Sequence, residues 1–136
     1  MSQQNKALPR RIFEDMETRG NIDAADEIFS RDFVGHMPIG EMHGPDSMKE
    51  FATALRIGFP DIRSTVEDQI EEGDRVVTRF TASGTHQGVF MGVPASGNHM
   101  EITGVIISRI ANGKIVEQWG VPDLLGMMQQ IGAVPA

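Results

Sequence analysis

The chain has 136 residues and a mass of 14.9 kDa, which is the size of one domain rather than two. Hydrophobic residues make up 40% of the sequence and charged residues 23%, a composition typical of a globular domain and not of a disordered chain. The net charge of -7 makes nucleic acid and anionic membrane surfaces poor partners, because both carry negative charge.

The absence of cysteine excludes disulfides, thiolate nucleophiles and cysteine-based metal sites. The four histidines, at 36, 43, 86 and 99, lack the close His/carboxylate spacing of a helical metal motif, so we expect no metal. The N-terminus lacks the apolar segment of a secretory signal, and no run of about 18 apolar residues indicates a membrane span. We therefore expect a cytoplasmic protein that does not bind membranes.

The N-terminal half predicts three helices and one short strand. Apolar residues at helical spacing predict helices over 4–19, over 23–30 and from Pro45 to the Phe-Pro-Asp turn at 59–61. Residues 32–36 predict a strand, and the prolines and glycines that follow it predict a loop.

The C-terminal half has the alternation of apolar and polar residues that is typical of strands. An Asn-Gly pair at 112–113 predicts a two-residue hairpin, and Asp123 begins a last helix. The predicted strands cover residues 62–72, 75–83, 101–110 and 114–121. The order of elements predicts an α+β fold in one domain over 1–136, with helices gathered on one face of a curved antiparallel sheet.

The last two strands carry apolar residues on both faces. Val105, Ile107, Trp119 and Val121 share the face that the helices leave open. A second subunit would cover this face, so we expect a homodimer, with a tetramer left open. The alternative is that the C-terminal helix or a loop covers the face within one chain.

Several motifs, taken in order and with their spacing, resemble the SnoaL-like polyketide cyclase family over roughly residues 5 to 135. The motifs are Phe-Pro-Asp at 59–61, Gly-Thr-His-Gln-Gly at 84–88, Met-Gly-Val-Pro-Ala-Ser-Gly at 91–97, and the segments 109–119 and 123–132. The family is similar to the wider nuclear transport factor 2-like and ketosteroid isomerase-like group. The resemblance implies a cone or half-barrel of sheet closed by N-terminal helices and a C-terminal helix around an apolar pocket, often without a cofactor.

The resemblance also implies a reaction, intramolecular aldol ring closure, driven by an aspartate on the last strand and helped by a histidine on its neighbour. Counted from the shared Gly-Lys-Ile segment, these two positions are Gly120 and Ile106 here. Neither side chain can abstract a proton next to a carbonyl. The cyclase mechanism therefore does not carry over residue by residue.

Alternation on the last strand points Val116, Gln118 and Gly120 toward the pocket, and Glu117 and Trp119 outward. Gln118 is the nearest polar replacement for the missing aspartate. Its amide can hold a carbonyl or donate to a developing enolate, although it cannot act as a base. The other interpretation is that it only satisfies a neighbouring polar group.

His36 is the best candidate base, because histidine is the side chain type that exchanges a proton near neutral pH and this one leaves the first strand at the expected pocket mouth. A buried structural histidine is the alternative. Asp123 follows Pro122 at a helix start, where capping explains a carboxylate, but it could also orient a histidine.

Candidate substrate contacts are apolar residues of the pocket wall and one further histidine. The flanking glycines of that histidine favour a backbone constraint instead. The set comprises Phe33, Phe80, Ile106, Gly120 and His86.

Two functions follow from these features. The first is a cofactor-free enzyme that cyclises, isomerises or hydrolyses a small hydrophobic, carbonyl-bearing molecule. The second is a non-catalytic binder of such a molecule, which the loss of the expected aspartate and histidine would suit. Catalysis requires that His36, Gln118 and Asp123 converge in one cavity, whereas binding requires only the apolar lining.

Overall fold

The computed structural model describes residues 2–135, with side chains described for 4–135. The fold is α+β, with six strands and four α-helices. In chain order the elements are α1 (Ser2–Arg11), a π-helical segment (Ile12–Thr18), a 3-10 turn (Ile22–Ala24), α2 (Ala25–Ile28), β1 (Phe29–Met37), β2 (Gly40–His43), α3 (Gly44–Gly58), β3 (Arg63–Glu72), β4 (Arg75–Thr85), β5 (His99–Ala111), β6 (Lys114–Pro122) and α4 (Leu124–Gln130).

The six strands form one curved, unclosed sheet in the order β2-β1-β6-β5-β4-β3. All neighbouring strands are antiparallel except β1 and β6, which are parallel. This parallel pair corrects the prediction of a wholly antiparallel sheet. Because β1 and β6 are far apart in the sequence, no local turn motif predicts that they pair.

The helical and strand boundaries of the N-terminal half also differ from the prediction. The predicted helix over 4–19 is present, but its second part is π-helical rather than α-helical. The predicted helix over 23–30 ends at Ile28, because the chain extends there into β1. The predicted loop after β1 contains β2, which pairs with β1 through a Pro-Ile turn.

The β5–β6 hairpin has the predicted turn. Asn112 and Gly113 have φ values of 53° and 74°, the left-handed backbone that favours these two residue types. A register shift near the start of β6 pairs Arg109 with Glu117 but Ile110 with Ile115. The inward side chain at that point is therefore the buried Ile115 and not the predicted Val116.

The core lies between the inner face of the sheet and the helices. Phe80 of β4 stacks on Phe13 of the π-helical segment with ring centroids 4.5 Å apart, which joins the two layers. Within residues 2–135, no helix is both long and apolar enough to cross a membrane.

Candidate functional site

A cavity of about 60 Å³ lies between the helical layer and the inner face of the sheet. Glu17 and Gln118 are the only polar side chains among the described residues that line it, and no cation lines it. The lining consists of Ile12, Phe13, Glu17, Met37, Met42, Met48, Phe51, Leu55, Phe80, Ala82, Phe90, Ile102, Gln118, Pro122, Leu124 and Met127.

Glu17 is a buried carboxyl with a single hydrogen bond. It is 6% exposed, and the Ser64 hydroxyl donates to its Oε1 at 2.6 Å. Within residues 4–135, its Oε2 has no hydrogen-bond partner. Removal from water raises the pKa of Glu17 from 4.5 to about 7, against the smaller opposing effect of the Ser64 hydrogen bond. The carboxyl can therefore gain or lose a proton near neutral pH.

The π-helical segment sets the direction of Glu17. Ile12, Phe13, Met16 and Glu17 are its buried residues, so the carboxyl shares the inward face with three apolar side chains. At the end of the π-helical segment, the Arg19 amide donates to the carbonyl of Glu14, which lies five residues earlier. Such segments are uncommon and occur frequently at functional sites.

Gln118 supplies a hydrogen-bond donor from the sheet side. It is 4% exposed, and the Ser108 hydroxyl donates to its Oε1 at 3.0 Å across the β5–β6 pair. This bond fixes the amide orientation and leaves Nε2 without an acceptor among the described residues. Gln118 thus faces the cavity as predicted, with a free N–H group.

The two positions that the resemblance implies for a catalytic pair are neighbours on the inner face. Gly120 pairs with Ile106, but neither lines the cavity. A Cβ built on Gly120 would lie 2.5 Å from the Met37 sulfur, which therefore fills the space that a longer side chain at 120 would need.

His36 lies on the opposite face of the sheet from Gln118, which corrects the expectation that it stands at the cavity mouth. Its register partner on β6 is Trp119, whose ring it stacks on at 5.6 Å, while its Nε2 is 2.8 Å from Glu117 Oε2. Hydrogen bonds from His36 and from Arg109 lower the pKa of the Glu117 carboxyl. The strand continues to Met37, and it is this next residue in the alternation that lines the cavity.

Asp123 caps the last helix and does not line the cavity. Its side chain accepts from the Gly126 amide at 2.9 Å, and a Cβ on Gly126 would collide with this carboxylate. His36, Gln118 and Asp123 therefore do not converge in one cavity.

His86 closes a loop rather than contacting the cavity. It is fully buried, and its Nδ1 accepts from the Ser96 amide at 3.2 Å, which ties together the two ends of the 87–97 loop. A Cβ on Gly88 would collide with the Ile57 carbonyl, so this loop does have the predicted backbone constraint. The loop brings Phe90 into the cavity wall.

Of the predicted wall residues, Phe80 lines the cavity. Phe33 does not, because it is buried elsewhere in the core, 1% exposed, where its ring packs 4.5 Å from that of Phe29.

Glu17 is a cavity residue that the predictions from the sequence do not include. The signal was available, because Glu17 follows the core residue Phe13 by four positions and so falls on the apolar face of the helix. A charged residue at a core position is rare unless paired, and this departure from the pattern marks a candidate site.

The whole chain is similar to known proteins. The family model described as SnoaL-like polyketide cyclase matches residues 7–131. The chain belongs to this family. Its sheet and helices form the nuclear transport factor 2-like fold of the solved family structures, as the resemblance implied.

Particular relatives are cyclases of the genus Streptomyces. The chain is 30% identical over 130 residues to the aklanonic acid methyl ester cyclase DnrD of Streptomyces peucetius, covering 92% of this chain and 88% of that one. It is 28% identical over 116 residues to the nogalonic acid methyl ester cyclase of Streptomyces nogalater, covering 83% and 87%. A solved SnoaL-like structure from Jannaschia sp. CCS1 matches with a TM-score of 0.86 at 30% identity, covering 98% and 94%.

Proposed function

We propose that the protein is a cofactor-free, cyclase-like enzyme that acts on a small, uncharged, hydrophobic molecule with a carbonyl group. The observation that carries this proposal is the composition of the cavity: apolar walls with one carboxyl and one amide donor, Glu17 and Gln118. Ligand sites for such molecules are mostly apolar with a few polar groups that fix orientation. The similarity to ester cyclases supports a cyclisation, with isomerisation or hydrolysis as related outcomes of the same chemistry.

The absence of lysine, arginine and histidine from the described cavity lining supports an uncharged substrate. An anionic ligand would lose its hydration without gaining a cationic partner, which costs several kcal/mol. Among the described residues, four methionines line the cavity, and their flexible side chains can move to admit a ligand larger than the present volume. The lining methionines are Met37, Met42, Met48 and Met127.

A non-catalytic binding role is the second candidate. It is favoured by Gly120 and Ile106, which occupy the positions that the resemblance implies for the catalytic pair. The two roles differ in whether the ligand changes chemically, so one experiment can separate them.

The proposed test uses an apolar linear diketone whose two carbonyls are separated by three methylene groups, followed by NMR in deuterated buffer. An enzyme will exchange the protons beside the carbonyls and close the ring faster than buffer alone. A binder will shift the resonances of cavity residues such as Ala82 without changing the diketone. Binding without a chemical change would contradict the proposed enzyme and favour the second candidate, and a protein that does neither would contradict both.

A matched pair of variants shows whether the cavity is responsible. Ala82→Leu fills the cavity from β4, whereas Ala54→Leu makes the same change on the exposed side of α3. We expect the first to abolish binding and turnover and the second to leave both unchanged.

We propose in addition that the protein forms a homodimer through the outer face of the sheet. Val121 is 68% exposed on the outer face, next to the partly exposed Trp119. A second copy of the chain would remove this apolar surface from water.

A further inference from the structure

Glu17 is the ionisable group of the described cavity lining, and its environment is unusual for a structural glutamate. A buried carboxylate that only stabilises a fold is normally paired with a cation and saturated with hydrogen bonds. Here one oxygen accepts from Ser64 and the other has no partner within residues 4–135. The second oxygen is available to a ligand.

The charged groups around the π-helical segment are engaged elsewhere. Arg56 of α3 donates to the backbone carbonyls of Glu17 and Thr18 rather than to the carboxyl. On the same segment, Glu14 pairs with Arg10, and Asp15 pairs with Arg11 and Arg19. Arg11 also pairs with Glu27 of α2. Among the side chains of residues 4–135, the Glu17 carboxyl therefore has no partner cation.

We infer that Glu17 is the catalytic acid and base of the cavity, an inference that rests on the proposed function. The helical layer thus provides a carboxyl in place of the one that the last strand lacks at Gly120. Gln118 donates from the sheet to the carbonyl oxygen on which negative charge develops. The two polar groups of the lining thus have complementary roles in one reaction.

The proposed ring closure needs no cofactor, because every proton and electron pair comes from the substrate or from Glu17. The Glu17 carboxylate takes a proton from the carbon beside a carbonyl, and the electrons of the C–H bond form an enolate whose oxygen is held by Gln118. The enolate carbon attacks the second carbonyl carbon of the same molecule, so a C–C bond forms and that oxygen becomes an alkoxide. The alkoxide takes the proton back from Glu17, which restores the carboxylate.

Burial gives this carboxyl a suitable proton affinity. With its pKa raised to about 7, Glu17 is a stronger base than an ordinary carboxylate and is still ionised in a useful fraction of molecules at neutral pH. The neighbouring Ser64 hydroxyl holds Oε1 in place, so Oε2 has a fixed direction.

The experiment measures cyclisation and deuterium exchange of the same diketone by wild type, Glu17→Gln and Glu14→Gln. Glutamine keeps the shape of the side chain and can still accept from Ser64, so the fold is preserved. Glu14 is the matched control because it lies one turn away and pairs with Arg10 at the surface. We expect Glu17→Gln to lose about a hundredfold or more in kcat/KM and Glu14→Gln to stay within about twofold of wild type.

A pH profile separates a catalytic role from a structural one. The wild-type rate should rise with pH to a plateau, with a midpoint near the pKa of Glu17, and the residual rate of Glu17→Gln should lack this step. If Glu17→Gln retains the wild-type rate and profile, the Glu17 inference is wrong while the proposed function stands. If wild type neither exchanges nor cyclises the diketone, the proposed catalysis and the Glu17 role both fail.

Discussion

At the scale of single residues, the burial of Glu17 has a thermodynamic consequence. The folded state holds its proton up to about pH 7, whereas the unfolded chain releases it near 4.5. Between these values the folded state binds more protons than the unfolded state, so the free energy of unfolding falls as the pH rises. The loss of folding stability caused by the buried Glu17 carboxylate is absent below about pH 4.5 and complete above about pH 7.

Glu17→Gln should therefore stabilise the protein at alkaline pH. At about 1.4 kcal/mol for each pKa unit, the gain in the free energy of unfolding should be roughly 3 kcal/mol at pH 8 and much smaller near pH 5. Urea denaturation of both proteins at the two pH values measures it. Glu14→Gln, at an exposed ion pair, should change the free energy of unfolding little at either pH. A gain from Glu17→Gln that is equal at both pH values would contradict the raised pKa of Glu17.

Asp123 provides a prediction of the opposite kind, in which stability changes and activity does not. Asp123→Ala removes the hydrogen bond to the Gly126 amide and should lower the free energy of unfolding by about 1 kcal/mol. The carboxylate lies outside the cavity lining, so kcat/KM for the diketone should be unchanged. Chemical denaturation measures the change in stability, and the NMR assay measures turnover. A loss of turnover at unchanged stability would support a catalytic role for Asp123.

At the scale of elements, the packing of β1 against β6 leaves little space for a side chain at Gly120. Met37 of β1 occupies the space next to it, with its sulfur 2.5 Å from the position of a Cβ. Gly120→Asp should cost about 1–3 kcal/mol of unfolding free energy, because the methionine must move. Adding Met37→Ala should recover most of this loss in thermal or chemical unfolding, and a double variant no more stable than Gly120→Asp would contradict the packing argument.

The same pair of positions bears on substrate choice. We expect negligible wild-type turnover of anthracycline-type polyketide esters, because Gly120 and Ile106 occupy the positions that the resemblance implies for the catalytic aspartate and histidine. The cavity of about 60 Å³ is also far below the roughly 300–1,000 Å³ of sites for large ligands. Rapid turnover of such an ester in a chromatographic assay would contradict this prediction.

The elements that can be predicted well from the sequence are those with a local signal. The clean alternation of β4 and the Asn112-Gly113 turn identify the C-terminal sheet, and alternation correctly points Gln118 inward. The parallel β1–β6 pair and the bulge that turns Ile115 inward depend on long-range packing. A change of one residue along a strand changes which face a side chain occupies. His36 is misplaced because β1 continues one residue past the predicted end, so that Met37 and not His36 lines the cavity.

At the scale of the whole molecule, the outer face of the sheet is only partly covered by its own chain. Trp119 is covered in part by its own chain, because His36 stacks on it and the Arg75 guanidinium lies 5.2 Å from its ring. The adjacent Val121 stays exposed. The intrachain cover is thus incomplete, which is consistent with a second subunit on this face.

Trp119→Glu tests the proposed dimer. Sedimentation velocity should show a dimer for wild type and a shift toward monomer for the variant, with lower stability as the stacking and cation–π contacts are lost. Val89→Glu makes the same type of change at an exposed apolar residue of the 87–97 loop and should leave the dimer intact. A monomeric wild type would contradict the argument from the two-faced sheet.

A crystal structure with the diketone bound would show whether the apolar cavity with Glu17 and Gln118 performs the chemistry. We expect density in the cavity, with one carbonyl oxygen accepting from Gln118 Nε2 and the adjacent carbon about 3.5 Å from Glu17 Oε2. A diketone bound outside the cavity, or bound within it with the Glu17 carboxyl turned away, would contradict this expectation.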